Sequence, residues 1–207
     1  SACLVGSEMC IRDRSMHRAG ERWRKPGHAA RVVLRLDDEP RPDIELVGFW
    51  LGLVRVFPAR EYEVEMGYLG PDLLAEDFDF DEAVARIEEE PNREIGRALL
   101  DQWKLAGIGN EYRAEINFLA GTHPRELVRD VDVEQHVRLA RRLMWANKDA
   151  PVRVTTGVKR AGETSYVFGR NNKPCRRCGT LIKKGFLGGQ GDLERVIWWC
   201  PQCQPEP

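Results

Sequence analysis

Cys175 and Cys178 stand with two residues between them, and Cys200 and Cys203 repeat that spacing after an interval of 21 residues. Two matched knuckles of this kind supply four thiolates to one tetrahedral zinc ion, each knuckle wrapping one side of it. Between them, "GFLGGQGD" offers a turn and "RVIWWC" a β-rich run, so the segment reads as a hairpin. A redox dithiol or a pair of disulfides fits poorly with twin knuckles in a chain that lacks secretory features. Four thiolates leave no open position for a substrate, so the zinc is expected to be structural.

A second constellation carries different chemistry. "LAGIGNEYRAE" places Gly107, Ile108, Gly109 and Asn110 directly ahead of a helical pattern. Two glycines permit a tight turn and the close approach of a ligand. The helix N-terminus then offers free N–H groups and the positive end of its dipole to an anion such as a phosphate. Asn110 can cap the helix or donate its amide to that phosphate. A plain helix–turn–helix corner satisfies the same four residues, so "GIGN" alone does not decide. Charge adds a direction. Residues 31–100 hold eight Lys/Arg against eighteen Asp/Glu, whereas 151–207 hold ten against four. The basic C-terminal quarter points to an anionic partner, nucleic acid first, although two oppositely charged solvated faces give the same counts.

These groups need a scaffold, and 207 residues, 42% of them hydrophobic, suffice to bury a core in one or two domains. "DEAVARIEEE" (residues 81–90) predicts a short helix with Asp79 as its cap and Glu82 three residues on. "REIGRALLDQWKLAG" and "NEYRAEINFLAG" predict two more, each stopped by a glycine. Val133, Val137, Ala140 and Met144 recur at helical spacing and are read as core. No apolar run approaches the roughly 18–20 residues that cross a bilayer, so no membrane contact is expected. The opening stretch also lacks the apolar segment of about 7–15 residues that marks a secretory signal.

The "GIGN" corner, "FLAGTHP" (residues 118–124), "VFGRNNKPCRRCGTLI" and the closing "CPQC" follow one another in an order that resembles the formamidopyrimidine-DNA glycosylase/endonuclease VIII family of base-excision repair enzymes. The resemblance runs from about residue 20 to residue 204. It implies an α+β fold: a β-sandwich region carrying "GERWRKPGHAARVVL" over 16–77, with "LGPDLL" as linker, a helix–two-turn–helix domain over 78–150, and a linker with a four-cysteine zinc-finger hairpin over 151–207. It implies that Asn110, with Gly109 beside it, holds a DNA phosphate, and that Cys175, Cys178, Cys200 and Cys203 are the zinc ligands. Arg195 then matches a hairpin arginine that clamps phosphates beside the lesion and assists the second elimination step. A guanidinium there suits bidentate phosphate binding. His28 is placed near DNA as well, with a structural role an equal alternative. The partner implied is double-stranded DNA with a damaged base or an abasic site, bound by a monomer in the cytoplasm, at the nucleoid.

The family's nucleophile is an N-terminal proline followed by a glutamate acid, and its free secondary amine forms a Schiff base with the sugar. Here residue 1 is Ser, and each of the twelve proline nitrogens sits in a peptide bond. "LVGSEMCIRD" (residues 4–13) resembles the translation of a transposase-type sequencing adaptor, so residues 1–15 are read as an irregular, artefactual leader. The expectation is therefore an N-terminally truncated chain whose β-sandwich remnant exposes unpaired edges and apolar side chains. The parent would be a bifunctional glycosylase and lyase for oxidised bases. The short link before the first knuckle favours the endonuclease VIII branch, which prefers oxidised pyrimidines. The polypeptide as given would hold DNA without turnover. Two alternatives remain: a non-catalytic zinc-finger DNA-binding module, and a zinc ribbon for protein contacts, against which the ordered motif set argues.

Overall fold

The computed structural model describes residues 14–36, 43–51, 54–150, 152–189 and 192–207. Chain contacts divide the molecule into two units, residues 1–67 and 68–207.

The first unit is built on three antiparallel strands, β1 (Arg14–Arg18), β2 (Ala30–Leu36) and β3 (Ile44–Phe49), in the order β1-β3-β2. Strand β1 begins inside the stretch expected to be irregular: Arg14 pairs with Gly48 and Ser15 with Val47. The adaptor-like segment, residues 4–13, lies outside the described residues. Val47 and Phe49 face a small core with Ala29, against which Trp23 packs edge-on to Phe49 at 5.7 Å. Across the strands Met16, Leu46 and Leu34 fall in one row. That row stays open, with Met16 67% and Leu46 37% exposed, as does Leu36 on the same face. A short helix, α1 (Tyr62–Met66), ends the unit.

The second unit carries four helices and a hairpin. Asp79 caps α2 (Phe80–Glu88) by accepting from the Glu82 backbone N–H at 2.9 Å. Asp132 caps α5 (Val133–Asn147) in the same way through Gln135, at 2.8 Å. Each such cap is worth about 1 kcal/mol. Helix α4 (Asn110–Ala120) stops at Gly121, whose φ of 75° suits glycine. The predicted helix over "REIGRALLDQWKLAG" is a correction: only α3 (Ile95–Ala98) is α-helical. Beyond it the side chains compete with helical bonding. Asp101 accepts from the Trp103 N–H, and Gln102 bonds the backbone of Leu100, Gly107 and Ile108.

Leu73, Ile87, Ile95, Leu99, Leu105, Ile116, Val137 and Ala140 are fully buried between these helices, and the α5 stripe predicted as core is core. Strands β4 (Lys183–Gly189) and β5 (Asp192–Trp199) form the expected hairpin. "GFLGG" belongs to strand β4 rather than to the turn, because Gly185, Phe186 and Leu187 pair with Ile197, Val196 and Arg195. No helix among the described residues is long and apolar enough to cross a membrane.

Candidate nucleic-acid interface and metal centre

Only one of the two corner glycines needs to be glycine for backbone reasons. Gly107 has φ of 109°, and a Cβ there would meet the Met144 methyl at 2.8 Å. Gly109 is the N-cap of α4 in an extended conformation, φ −121° and ψ −178°, and no side chain caps the helix. Asn110 is therefore not a cap. It is the first helical residue, and its Nδ2 donates to the Val196 carbonyl of β5 at 3.0 Å. Arg113, one turn on, donates to that same carbonyl at 2.8 Å and also to Asn110 Oδ1. Arg195 is half-buried and sits in β5 opposite Leu187, on the flank of the hairpin rather than at its tip. The fold thus bonds Asn110 to the carbonyl of Val196, the residue that follows Arg195 in β5. His28 lies in the first unit, exposed in a 3-10 turn over Gly27–Ala29.

Helix α4 also anchors the segment that leads to the first knuckle. Glu115 is fully buried and accepts from the backbone N–H groups of Tyr166, Val167 and Phe168 at 2.7, 2.8 and 2.9 Å, and from the Thr155 hydroxyl. Three aligned backbone donors and a hydroxyl replace the water that a buried carboxylate would otherwise lose. At the other end, Gln204 Nε2 donates to the Thr122 carbonyl, and Gln204 Oε1 accepts from Cys200 N. Arg125 reaches from the turn after α4 to the Phe186 carbonyl of β4 at 2.5 Å. Sequence reading missed all four of these side chains. Only Glu115 lies in a helix, within the stretch of α4 buried continuously from Tyr112 to Phe118, and no local spacing marks its distant partners.

The four cysteine Sγ atoms lie within 4.8 Å of one another. Cys175 and Cys203 are 4.0 Å apart, and Cys178 and Cys200 3.4 Å. Four sulfurs each 2.3 Å from a tetrahedral ion stand about 3.8 Å apart, so the donor set and its spacing fit zinc. Hydrogen bonds from the Thr180 hydroxyl and backbone hold the Cys178 thiol down to about 6, while burial pushes Cys200 and Cys203 up. The Cys178 thiolate is thus favoured before the metal arrives, and the ion must displace protons from Cys200 and Cys203.

Comparison with known proteins agrees with this architecture. Residues 69–155 match the formamidopyrimidine-DNA glycosylase H2TH domain. A Streptomyces coelicolor protein described as a probable endonuclease 8 2 is 40% identical over 192 residues, which cover 91% of this chain and 67% of the relative. The Mycobacterium bovis endonuclease 8 2 is 42% identical, over 90% of this chain and 71% of its own length. This chain belongs to the formamidopyrimidine-DNA glycosylase/endonuclease VIII family. Among solved structures, a MutM complex with DNA containing carbocyclic 8-oxo-G superposes with a TM-score of 0.69 over 94% of this chain and 72% of that one. At 20% identity that likeness shows the shared fold. Family membership thus joins the α+β architecture and the cysteine cluster in one assignment.

Proposed function

We propose that this protein acts in base-excision repair as a bifunctional DNA glycosylase and abasic-site lyase, and that residues 68–207 supply its grip on duplex DNA. The observation that carries the reading is the junction at Val196. Asn110, from a glycine corner at a helix start, bonds the carbonyl of the residue that follows Arg195 in the cysteine-braced hairpin, although the two come from distant parts of the chain. An amide and a guanidinium carried on two elements joined at that bond suit nearby backbone phosphates, which accept hydrogen bonds and carry charge. Gly109 leaves the helix start uncovered by a capping side chain, and His28 is assigned a lesser, peripheral DNA contact from its exposed turn. Zinc held by Cys175, Cys178, Cys200 and Cys203 has a structural part: it fixes the knuckles from which β5 presents Arg195.

Several relatives support the chemistry by name. One, from Mycolicibacterium smegmatis, is described as a DNA-(apurinic or apyrimidinic site) lyase, 39% identical over 86% of this chain. The endonuclease 8 relative from Streptomyces coelicolor is more similar than a Synechocystis formamidopyrimidine-DNA glycosylase, which is 34% identical over 72% of this chain. With the short link before the first knuckle, this favours oxidised pyrimidines as the lesion class.

Titration of a duplex bearing thymine glycol or an abasic-site analogue, at several salt concentrations, tests the grip. The affinity falls steeply with salt, and Asn110→Ala and Arg195→Ala each weaken binding about tenfold, the worth of one charge-assisted hydrogen bond. No effect from either substitution would remove the phosphate reading. Borohydride trapping on the damaged duplex with the full-length natural protein tests the lyase reading: covalent capture supports it, and failure to trap would overturn it.

A further inference from the structure

Arg113 is 1% exposed, so DNA cannot reach it, yet it bonds Asn110 and the carbonyl of Val196, the residue that follows Arg195. Its guanidinium donates to Asn110 Oδ1 and to the Val196 carbonyl at 2.8 Å, and more weakly to the Gly96 carbonyl at 3.4 Å. A guanidinium only donates, so the Asn110 atom facing it must be the amide oxygen. That fixes the orientation of the amide: its nitrogen is turned to the Val196 carbonyl, 3.0 Å away. Orientation matters because a phosphate only accepts. An Asn110 amide flipped by a half turn would present its oxygen to that anion and repel it. The same guanidinium holds the carbonyl of the residue next to Arg195, and so pins the strand backbone from which Arg195 projects.

We infer that Arg113 is a positioning residue that sets Asn110 and Arg195 as one phosphate clamp without itself touching DNA. The inference rests on the phosphate reading of those two residues. A planar fork is required: lysine keeps the charge but offers a single point donor that cannot hold three carbonyl oxygens in a fixed geometry.

A double-mutant cycle on the zinc-loaded full chain tests this, with duplex affinity and its salt dependence as readouts. Arg113→Met is expected to weaken binding about tenfold and to lower the slope of log affinity against log salt by about one, as if a phosphate contact were lost. Arg195→Ala in that background should then cost less than about threefold more, because the guanidinium it removes is already mispositioned. Arg113→Lys, which retains a buried cation and guards against simple misfolding, should show the same non-additivity in weaker form. Zinc content should be unchanged, and each variant should remain folded at the assay temperature even if its thermal midpoint falls. If Arg195→Ala costs as much beside Arg113→Met and Arg113→Lys as in the parent chain, Arg113 acts only on stability and the inference is overturned. If Arg195→Ala has no effect in the parent chain, the phosphate reading itself fails and takes the inference with it.

Discussion

The two units of this chain solve the burial problem to different extents. The first has a sheet with one face packed on three buried residues, Ala29, Val47 and Phe49, and the other face left apolar and open. The second interlocks helices and hairpin so completely that even Arg113, Glu115, Asn117 and His123 are buried, most of their polar atoms bonded to backbone. A sheet needs a second layer before its hydrophobic face contributes to stability. Buried polar groups, by contrast, are tolerable only where the surrounding layers are complete enough to satisfy them. The density of buried polar bonds therefore marks the unit that can hold a site in fixed geometry.

Removing the metal should change that contrast most. Chelation, or Cys200→Ser, is expected to unfold the hairpin and leave the first unit unaltered, since structural zinc contributes on the order of 10 kcal/mol to small thiolate modules. Metal analysis with amide exchange reads this out; a hairpin that stays protected without metal would break the comparison. Next in size is Glu115→Ala. It leaves three buried backbone N–H groups without their acceptor, each costing about 1–3 kcal/mol, and urea unfolding of the second unit should register a loss of at least about 3 kcal/mol.

Acidification gives a smaller effect with a definite sign. His136 is buried and donates from Nδ1 to the Asp132 carbonyl at 2.6 Å, and burial lowers its pKa below 6.5. The unfolded chain takes up a proton at about 6.5 while the folded chain still resists it, so stability is complete above pH 6.5 and declines as pH falls toward the lower folded value. His136→Asn should flatten that decline in melts across this window. Smallest of all, Leu46→Thr on the open face of the first unit should shift stability by no more than about 0.5 kcal/mol while reducing binding of an apolar dye. A large loss of stability there would mean that the face is covered in solution.

Legibility in the sequence followed a different division, between local spacing and distant partners. Residues whose chemistry is declared by local spacing could be found: the four cysteines, the glycine corner, the Asp79 cap, and the stripe from Val133 to Met144. What stayed hidden depends on partners far away along the chain. Nothing near Arg113 reveals that it meets Val196, 83 residues on, and nothing near Glu115 announces the N–H groups of residues 166–168. The overlong helix before the corner failed for a related reason. Leu99 and Leu100 have helical propensity, but Asp101 and Gln102 draw the backbone into turns through bonds that hydrophobic periodicity does not register.

The latches from Arg125 to Phe186 and from Gln204 to Thr122 have a calorimetric consequence. They join the hairpin to the helices in the absence of DNA, so the ordering entropy of that junction is spent during folding. DNA binding by this unit should then resemble the docking of a rigid body, with a small heat-capacity change set by the surface covered. The large negative value that accompanies folding coupled to binding should not arise.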